Sequence, residues 1–485
     1  MLSTGFIASN LCVRKPVSAR KVQDQNRRQK QPLYPTARQA QRQRRQKRRW
    51  ALIWLGLTAV AMLSASAGAL LAFSLSSTPL RRANLTPEEA AIFEDDAIST
   101  QNLKLPALTR PVHILVIGTK VTISDLNEKP AYDPGYDALV NSLDGLADTL
   151  LLIRFDPATD RLTMLSIPRD TQTLVSGYGV TKINAANYHG GPALTAKAVS
   201  RLLEGVQIDR YVRVNVQAIE KLIDAIGGVE VYVPRDMKYT DHSQHLYIDL
   251  KEGQQVLDGD KALQFLRFRK DQYGDIGRVQ RQQILLRAMV EQALKPSTLV
   301  RIPKILKVIQ ENLDTNLTVE ELAALAGFAA QTERSQVEMM LLPGEFNGTG
   351  KQDISYWIPH PRSIESMMAQ HFDQGYSEVE SKLPAYTSIA IQDSTEAPFA
   401  ADDLKLALQE AGYPNVYIER DWSEPLDTTR IVAQQGDRIT AENVQIALGF
   451  GEVRVESTGV LSSDITIKLG RDWLERQDTM NPTAF

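Results

Sequence analysis

Five cations and a glutamine sit where apolar elements end, in positions that a plain hydrophobic core would not choose for them. Arg169 follows the strand-like run LTMLSIP and precedes Asp170, and Lys182 stands in TKINAANYHGG just ahead of a helix-forming run. Arg267 and Arg269 flank Phe268; an extended backbone would turn both to one side, because strand side chains alternate. Arg278 and Gln282 lie four residues apart, the spacing of one helix face, one turn into a helix opened by GDIG. An arginine in a first helical turn opposes the macrodipole unless an anion is shared there. Helix N-termini and converging arginines together make a cradle for phosphate or pyrophosphate. Each cation taken alone reads more readily as a solvated surface residue or the partner of a nearby aspartate, and only their co-occurrence singles them out.

The acids are fewer and more ambiguous. Asp148 opens a buried strand, where a carboxylate needs a cationic partner or a metal ion. Asp275 fits a helix cap as readily as a catalytic group. Asp241, His242 and His245 form a D-H-x-x-H group in a polar segment, with too few further ligands for a zinc site, and read as a surface loop. A single cysteine, Cys12, excludes an intramolecular disulfide and thiolate metal clusters.

The elements that must position these residues follow from hydropathy and turn chemistry. Val112–Ile117 is a first strand ending at Gly118, and Thr149–Phe155 and Leu162–Ile167 form a hairpin across the turn-forming stretch Asp156–Asp160. Helices are predicted over Ala193–Leu203, Val216–Ile226, Asp260–Leu266, Arg278–Leu294 and Val319–Ala330, the last opened by a Thr318–Glu321 capping box. Strands are predicted at Tyr211–Asn215 and Val229–Val233. The fold class is layered α/β, followed from Ala385 by a second, smaller α/β domain.

Charge and hydropathy add a topology. The net charge of −3 conceals a split: residues 1–49 hold 14 Lys/Arg against Asp24 alone, giving +13 there and −16 in the remainder. Ala51–Leu75 is a 25-residue stretch without charge, about 37 Å as a helix, long enough to span a bilayer with tilt. The cations on its N-terminal flank keep the tail cytoplasmic and send the rest across the membrane. A signal peptide with a 49-residue leader is the competing reading. The organisation expected is therefore a basic cytoplasmic tail (1–49), a transmembrane helix (50–75), a juxtamembrane spacer (76–109), a first folded domain (110–360), a linker (361–384) and the small domain (385–475).

In order and spacing, LADTLLLIRFDP, MLSIPRDT, TKINAANYHGGP, IDRYVRVNV, IDAIGGVEVYVP and LDGDKALQFLRFRKDQYGDIGRVQRQQ resemble the LytR-CpsA-Psr (LCP) family over about Asp148–Gln283. The terminal domain resembles, more weakly, the LytR C-terminal domain over about Ser388–Asp472. The resemblance implies a magnesium-assisted phosphotransferase that moves a glycopolymer from a polyprenyl-pyrophosphate carrier to a peptidoglycan hydroxyl. Under it, Arg169, Arg267, Arg269, Arg278, Lys182 and Gln282 fall on the pyrophosphate-binding positions, Asp148 on a magnesium ligand and Asp275 on the group that orients the hydroxyl or takes its proton. Its partners would be the carrier-linked glycan, peptidoglycan and the membrane, with no specific nucleic acid. Two other readings stay open: a polyprenyl-pyrophosphate hydrolase using the same cradle, and a non-enzymatic regulator of the transcriptional-attenuator type. Sequence does not separate transfer from hydrolysis.

One position departs from the family pattern. An acid usual at the end of the first strand is replaced by Lys120 in ILVIGTK, and a protonated lysine cannot ligate magnesium. Lys120 is read as a fixed positive charge toward the pyrophosphate. Lys120→Asp should therefore tighten magnesium binding in a metal titration. Activity that stays fully magnesium-dependent in Lys120→Ala would count against the compensating charge.

Overall fold

Strand β2 (Leu146–Asp156) is apolar at nearly every central position because both of its faces are covered. In the computed structural model Leu150 and Leu152 pack to one side with Leu165, Ile167 and Ala193, Ala196 and Val199. Leu151 and Ile153 pack to the other with Leu162, Met164 and Phe328. Alternation along one strand thus feeds two cores, the signature of a sheet with helices on both faces. The structure describes residues 82–480 except 94–95, 97, 100–105, 121–142, 243–245, 269–273, 349–354, 376–381 and 420. All of them lie in one compact unit, Leu71–Phe485. The expected tail 1–49 and membrane helix 50–75 fall outside the described residues, and no helix among those described is long and apolar enough to cross a membrane.

The six-stranded sheet runs β11-β6-β1-β2-β3-β12, where β1 is Val112–Lys120, β3 Arg161–Ile167, β6 Arg210–Asn215, β11 Leu313–Thr315 and β12 Val337–Leu341. β1, β2 and β3 are antiparallel neighbours, as the hairpin reading requires, while β1 with β6 and β3 with β12 are parallel. The first helix, α1 (Ala185–Leu202), starts eight residues before its expected position. It is kinked where Gly190 and Gly191 leave helical geometry, Gly191 at φ +60°, which glycine tolerates. Helix α2 (Val216–Ile226) runs from an Asn215 cap that accepts from the Ala218 amide at 2.8 Å to Gly227 in the left-handed region. Helix α3 is Gly259–Arg267 and α4 Gly274–Leu294. Helix α6 (Val319–Gln331) begins with the predicted capping box, and α5 (Ile302–Asn312) precedes it. Between β12 and the second domain, α7 (Pro361–His371) occupies part of the span read as a linker.

The second domain is a five-stranded sheet, β16-β15-β19-β17-β18, with β15 Ile389–Asp393, β16 Val416–Ile418, β17 Arg430–Ala433, β18 Glu452–Val455 and β19 Ile465–Leu469. Helices α8 (Ala400–Glu410) and α9 (Arg438–Leu448) cover it, and α10 (Asp472–Met480) closes the described chain. Just beyond β18, Glu456 bridges in parallel to Met339 of β12.

Buried charge lies at that junction. Glu456 is fully enclosed and receives Arg334 Nη2 at 3.1 Å and Arg287 Nη1 from α4 at 3.5 Å. Burial favours its neutral form, but Arg287, Lys468, Arg334 and Arg454 hold its pKa below the usual range. On the other side Glu338 of β12, also fully buried, pairs with His371 Nδ1 at 2.8 Å and with Arg438 Nη2 of α9 at 3.0 Å. Burial again opposes ionisation there, and the bond from His371 with the charges of His371, Arg161 and Arg438 brings the pKa down to about 2. A carboxyl depressed from 4.5 to about 2 stabilises the fold above pH 4.5, and that contribution disappears as pH falls through about 2. Urea unfolding followed from pH 5 to 2 should thus show the wild type losing on the order of 3 kcal/mol more than Glu338→Gln, and parallel curves would refute the assignment.

Candidate active site

The site forms where β2 begins and β3 ends. Strand β1 does not stop at Gly118 but continues to Lys120, and the β1–β2 register slips there: Gly118 faces Thr149, whereas Thr119 faces Ala147. Asp148 is the residue skipped. A bulge of this kind re-aims one side chain out of the alternation, which explains how an acid occupies an otherwise buried strand. The approach is close, since a Cβ on Gly118 would stand 3.0 Å from Thr149 Cβ.

Arg169 meets Asp148 directly, Nη1 to Oδ1 at 2.6 Å, and places Nε 3.4 Å from Asp170 Oδ2. Lys182 closes β5 (Gly179–Lys182), paired with β4 (Gln172–Val175), and its Nζ donates to Asp170 Oδ1 at 2.7 Å. Two carboxylates and two cations alternate along a line, so the group is locally neutral. Burial works against the charge on Arg169, but Asp148 and Asp170 outweigh it and hold its pKa above the ordinary arginine value. The Arg169 and Asp148 side chains keep 29% and 32% of their surface exposed, so the line is open to a solute.

The loop bearing Arg169 is pinned from both sides. The Thr171 amide and hydroxyl donate to the Pro168 carbonyl, at 3.0 and 2.6 Å. Asn184 N donates to Arg169 O, Ile183 N to Thr171 O, and Trp357 N, in β14 (Trp357–Pro359), to Asp170 O at 2.9 Å. Asn187, in the first turn of α1 and buried, donates from Nδ2 to the carbonyls of Leu143 (2.9 Å) and Gly145 (2.7 Å), fixing the chain as it enters β2. Asp170, as the shared carboxylate, and Asn187, as the anchor, were not singled out for these roles from sequence. Both stand inside the motifs PRD and INAAN.

The remaining predicted residues divide. Arg267 is the last residue of α3 and therefore helical, not part of an extended pair; Phe268 is the extended, buried cap that follows. The hydrophobic run ALQFL continues its amphipathic helix through Arg267, which overrides the alternation argument. Arg267 Nη2 is buried without a partner among the described residues. Arg281 Nη2 donates to Phe268 O at 2.6 Å and ties α4 to the end of α3. Asp275 and Arg278 both lie in the first turns of α4, which begins four residues earlier than expected, and Gln282 follows on the same helix, half-buried. Arg269 lies outside the described residues, as do the side chains of Lys120, Asp275 and Arg278. The partners of Arg169 do not include Arg267 or Gln282. His242 is exposed on the surface, as the loop reading expected, and His245 lies outside the described residues.

For a metal ion, Asp148 is the fitting donor: it is part-exposed, and its second oxygen makes no hydrogen bond among the described residues. Magnesium is commonly held by one or two carboxylates, several waters and substrate phosphates, and one such carboxylate meets that requirement. Among the described residues no group of three or more His, Cys, Asp or Glu is assembled for a protein-only cage.

A model of the LytR-CpsA-Psr family matches residues 83–373, more than half of the chain. The chain belongs to this family. Residues 386–473 match a second model, described as LytR cell envelope-related transcriptional attenuator. Among curated relatives, the polyisoprenyl-teichoic acid–peptidoglycan teichoic acid transferase TagV of Bacillus subtilis is 32% identical over 239 residues, 47% of this chain and 60% of that one. The transferase of the same description, TagU, from Oceanobacillus iheyensis is 32% identical over 233 residues, 47% of this chain and 70% of that one. The chain thus spans less than two thirds of the first of these relatives. The crystal structure of B. subtilis TagV aligns with 55% of this chain and 99% of its own, at 28% identity and a TM-score of 0.45.

If Asn187 anchors the entry to β2, Asn187→Leu, which strips two carbonyls of their buried donor, should lower unfolding stability by about 2–4 kcal/mol in a urea titration. An unchanged midpoint would remove Asn187 from the site's support.

Proposed function

We propose that this LCP protein is a membrane-anchored phosphotransferase that attaches a glycopolymer from a polyprenyl-pyrophosphate carrier to peptidoglycan. The observation that carries the reading is the open line Asp148–Arg169–Asp170–Lys182, placed by a bulge at the end of the central sheet. The relatives' names, teichoic acid transferases acting on peptidoglycan, point the same way. With the basic tail inside and residues 50–75 as a single span, the site works on the extracytoplasmic side, beside a lipid-borne donor.

The chemistry assigns each residue a task. Arg169, shared between two carboxylates, exchanges its Asp148 bond for a pyrophosphate oxygen while Asp170 keeps its orientation. Lys182, Arg267, Arg269, Arg278 and Gln282 supply the further donors that phosphoryl transfer needs as negative charge spreads over the equatorial oxygens. Lys120 adds a fixed charge from the end of β1. Asp148 would hold magnesium, which when bound supplies positive charge to the pyrophosphate. Asp275, in the first turn of α4, orients the acceptor hydroxyl and takes its proton as the new phosphorus–oxygen bond forms. The bond to the carrier's remaining phosphate breaks, and polyprenyl phosphate leaves.

Arg169→Ala should lower transfer by about 100-fold or more, because it removes a donor whose bond strengthens in the transition state. The assay incubates the full chain in detergent with a polyprenyl-pyrophosphate-linked sugar and a peptidoglycan fragment, and follows the conjugate by mass spectrometry. Arg169-dependent release of polyprenyl phosphate without conjugate would replace transferase by hydrolase.

A further inference from the structure

The β4–β5 hairpin turns apolar side chains outward beside the reaction line. Residues opposite one another in an antiparallel pair share a face, so Gln172 with Lys182 and Leu174 with Val180 stand on one side, and Thr173 and Val175 on the other. Thr173 and Val175 are buried, and Val175 joins the core beneath with Ile183 and Ala186. The opposite side is open: Val180 keeps 64% and Leu174 44% of its surface exposed, and Tyr178 in the turn keeps 51%. Single exposed apolar side chains are ordinary on a protein surface. Here three fall within seven residues, on the hairpin whose last residue, Lys182, bonds Asp170. Residues 172–182 hold no Asp or Glu.

The chain enters the domain at the same end of the sheet. Ala83 N donates to Asp314 Oδ1 at 2.7 Å and to the Tyr211 hydroxyl at 3.2 Å. Asp314 also accepts from Arg213 Nε, and Arg213 Nη1 reaches Leu143 O at 3.3 Å, a carbonyl that Asn187 holds ahead of β2. Arg213 pairs with Ile117, one residue short of Gly118, where Asp148 leaves the register. Leu75, the end of the span read from hydropathy, precedes Ala83 by eight residues, which cover at most about 29 Å. The entry point is thus held within that distance of the bilayer.

We propose that the open face of the β4–β5 hairpin docks on the membrane, with Leu174, Tyr178 and Val180 at the boundary between headgroups and acyl chains. The inference rests on the proposed function, which puts the donor pyrophosphate in the headgroup layer and the span at residues 50–75. That layer is roughly 5–8 Å thick in each leaflet. Val180 stands two strand residues from Lys182, about 7 Å. A hairpin that sets Lys182 beside a lipid-borne phosphate therefore delivers Val180 to the edge of the hydrocarbon. A segment without carboxylates suits a surface of phosphate headgroups, and tyrosine is a residue of membrane interfaces. A glycan platform would offer a free aromatic face. The apolar side chains that share a face with Lys182 are aliphatic, and Tyr178 turns one ring face to His189, centroids 3.9 Å apart.

The test uses the full chain in vesicles of phosphatidylglycerol and phosphatidylethanolamine. Cys12→Ser removes the single cysteine, and Leu174→Cys or Val180→Cys then carries a polarity-sensitive fluorophore; Ile446→Cys, 77% exposed on α9, is the water-facing control. Thermal melts check the fold of each variant. Labels at 174 and 180 are expected to emit to the blue and to be quenched by a shallow doxyl lipid at least about threefold more than the label at 446. Equal quenching at the three positions overturns the proposal, as does a Val180→Cys label protected by tetra-N-acetylchitotetraose instead of by lipid. Leu174→Asp combined with Val180→Asp should lower transfer from a vesicle-embedded polyprenyl donor at least about tenfold and leave transfer from a short-chain soluble donor at the wild-type rate. Equal loss with both donors would also overturn it. Quenching at 174 and 180 in a protein that transfers nothing upholds the docking and removes the transferase. Transfer with unquenched labels sinks the docking and leaves the transferase standing.

Discussion

A guanidinium at the end of a buried strand is tolerated only if carboxylates meet it there, and at Arg169 that requirement organises the site. Asp148 can serve only because the bulge opposite Gly118 and Thr119 turns it out of the core pattern of β2. Asp170 can serve twice only because the turn from Pro168 to Thr171 is bonded on both flanks, to Ile183 and Asn184 between β5 and α1 on one and to Trp357 on the other. The sheet, the β4–β5 hairpin and the start of α1 thus converge on one electrostatic need. Under the proposed transferase reading, an anionic substrate entering this line would exchange partners with charges already in place, so the protein would not have to assemble them at the moment of reaction.

Much of this was legible in the chain, and the reasons differ by element. The β2–β3 hairpin, α2, β7 (Val229–Val233) and the α6 capping box follow from local signals: an uninterrupted apolar run, a Gly-Gly stop, a Thr and Glu three apart. The failures sit where tertiary structure overrides a local rule. Phe268 between two arginines predicts an extended Arg267, but the helix runs through it and only the cap is extended. Gly190, Gly191 and Pro192 look like a boundary, but the chain passes them as a kink and α1 starts ahead of them. A bulge has no sequence signature of its own, so the means by which Asp148 reaches Arg169 could not be read in advance.

The second domain joins the first through ionised groups as well as through apolar packing, since one buried cluster runs from Leu165 and Met340 to Ile389 and Val444. Glu338 and Glu456 are both enclosed, and the cations that keep them charged come from both domains: Arg438 joins Arg161 and His371 around the first, while Arg287 and Arg334 reach the second alongside Lys468. Buried pairs of this kind add little net stability over apolar packing, but losing one partner is severe. They therefore fix geometry strictly. Through Arg287 that geometry extends to α4, the helix that carries Asp275 and Arg278 at its other end.

The bridge between Met339 and Glu456 has a consequence of a different kind. β12 is the last strand of the six-stranded sheet, and its outer backbone groups are met by the second domain: Ser457 N donates to Met339 O, and Leu341 N donates to Ser457 Oγ. An unpaired strand edge is a template for pairing with another chain, and natural sheets blunt it with charges, prolines or a cover. Here the cover is a whole domain, and VEMML beneath it is buried at every position. The terminal domain thus also keeps the six-stranded sheet from recruiting a neighbour's strand.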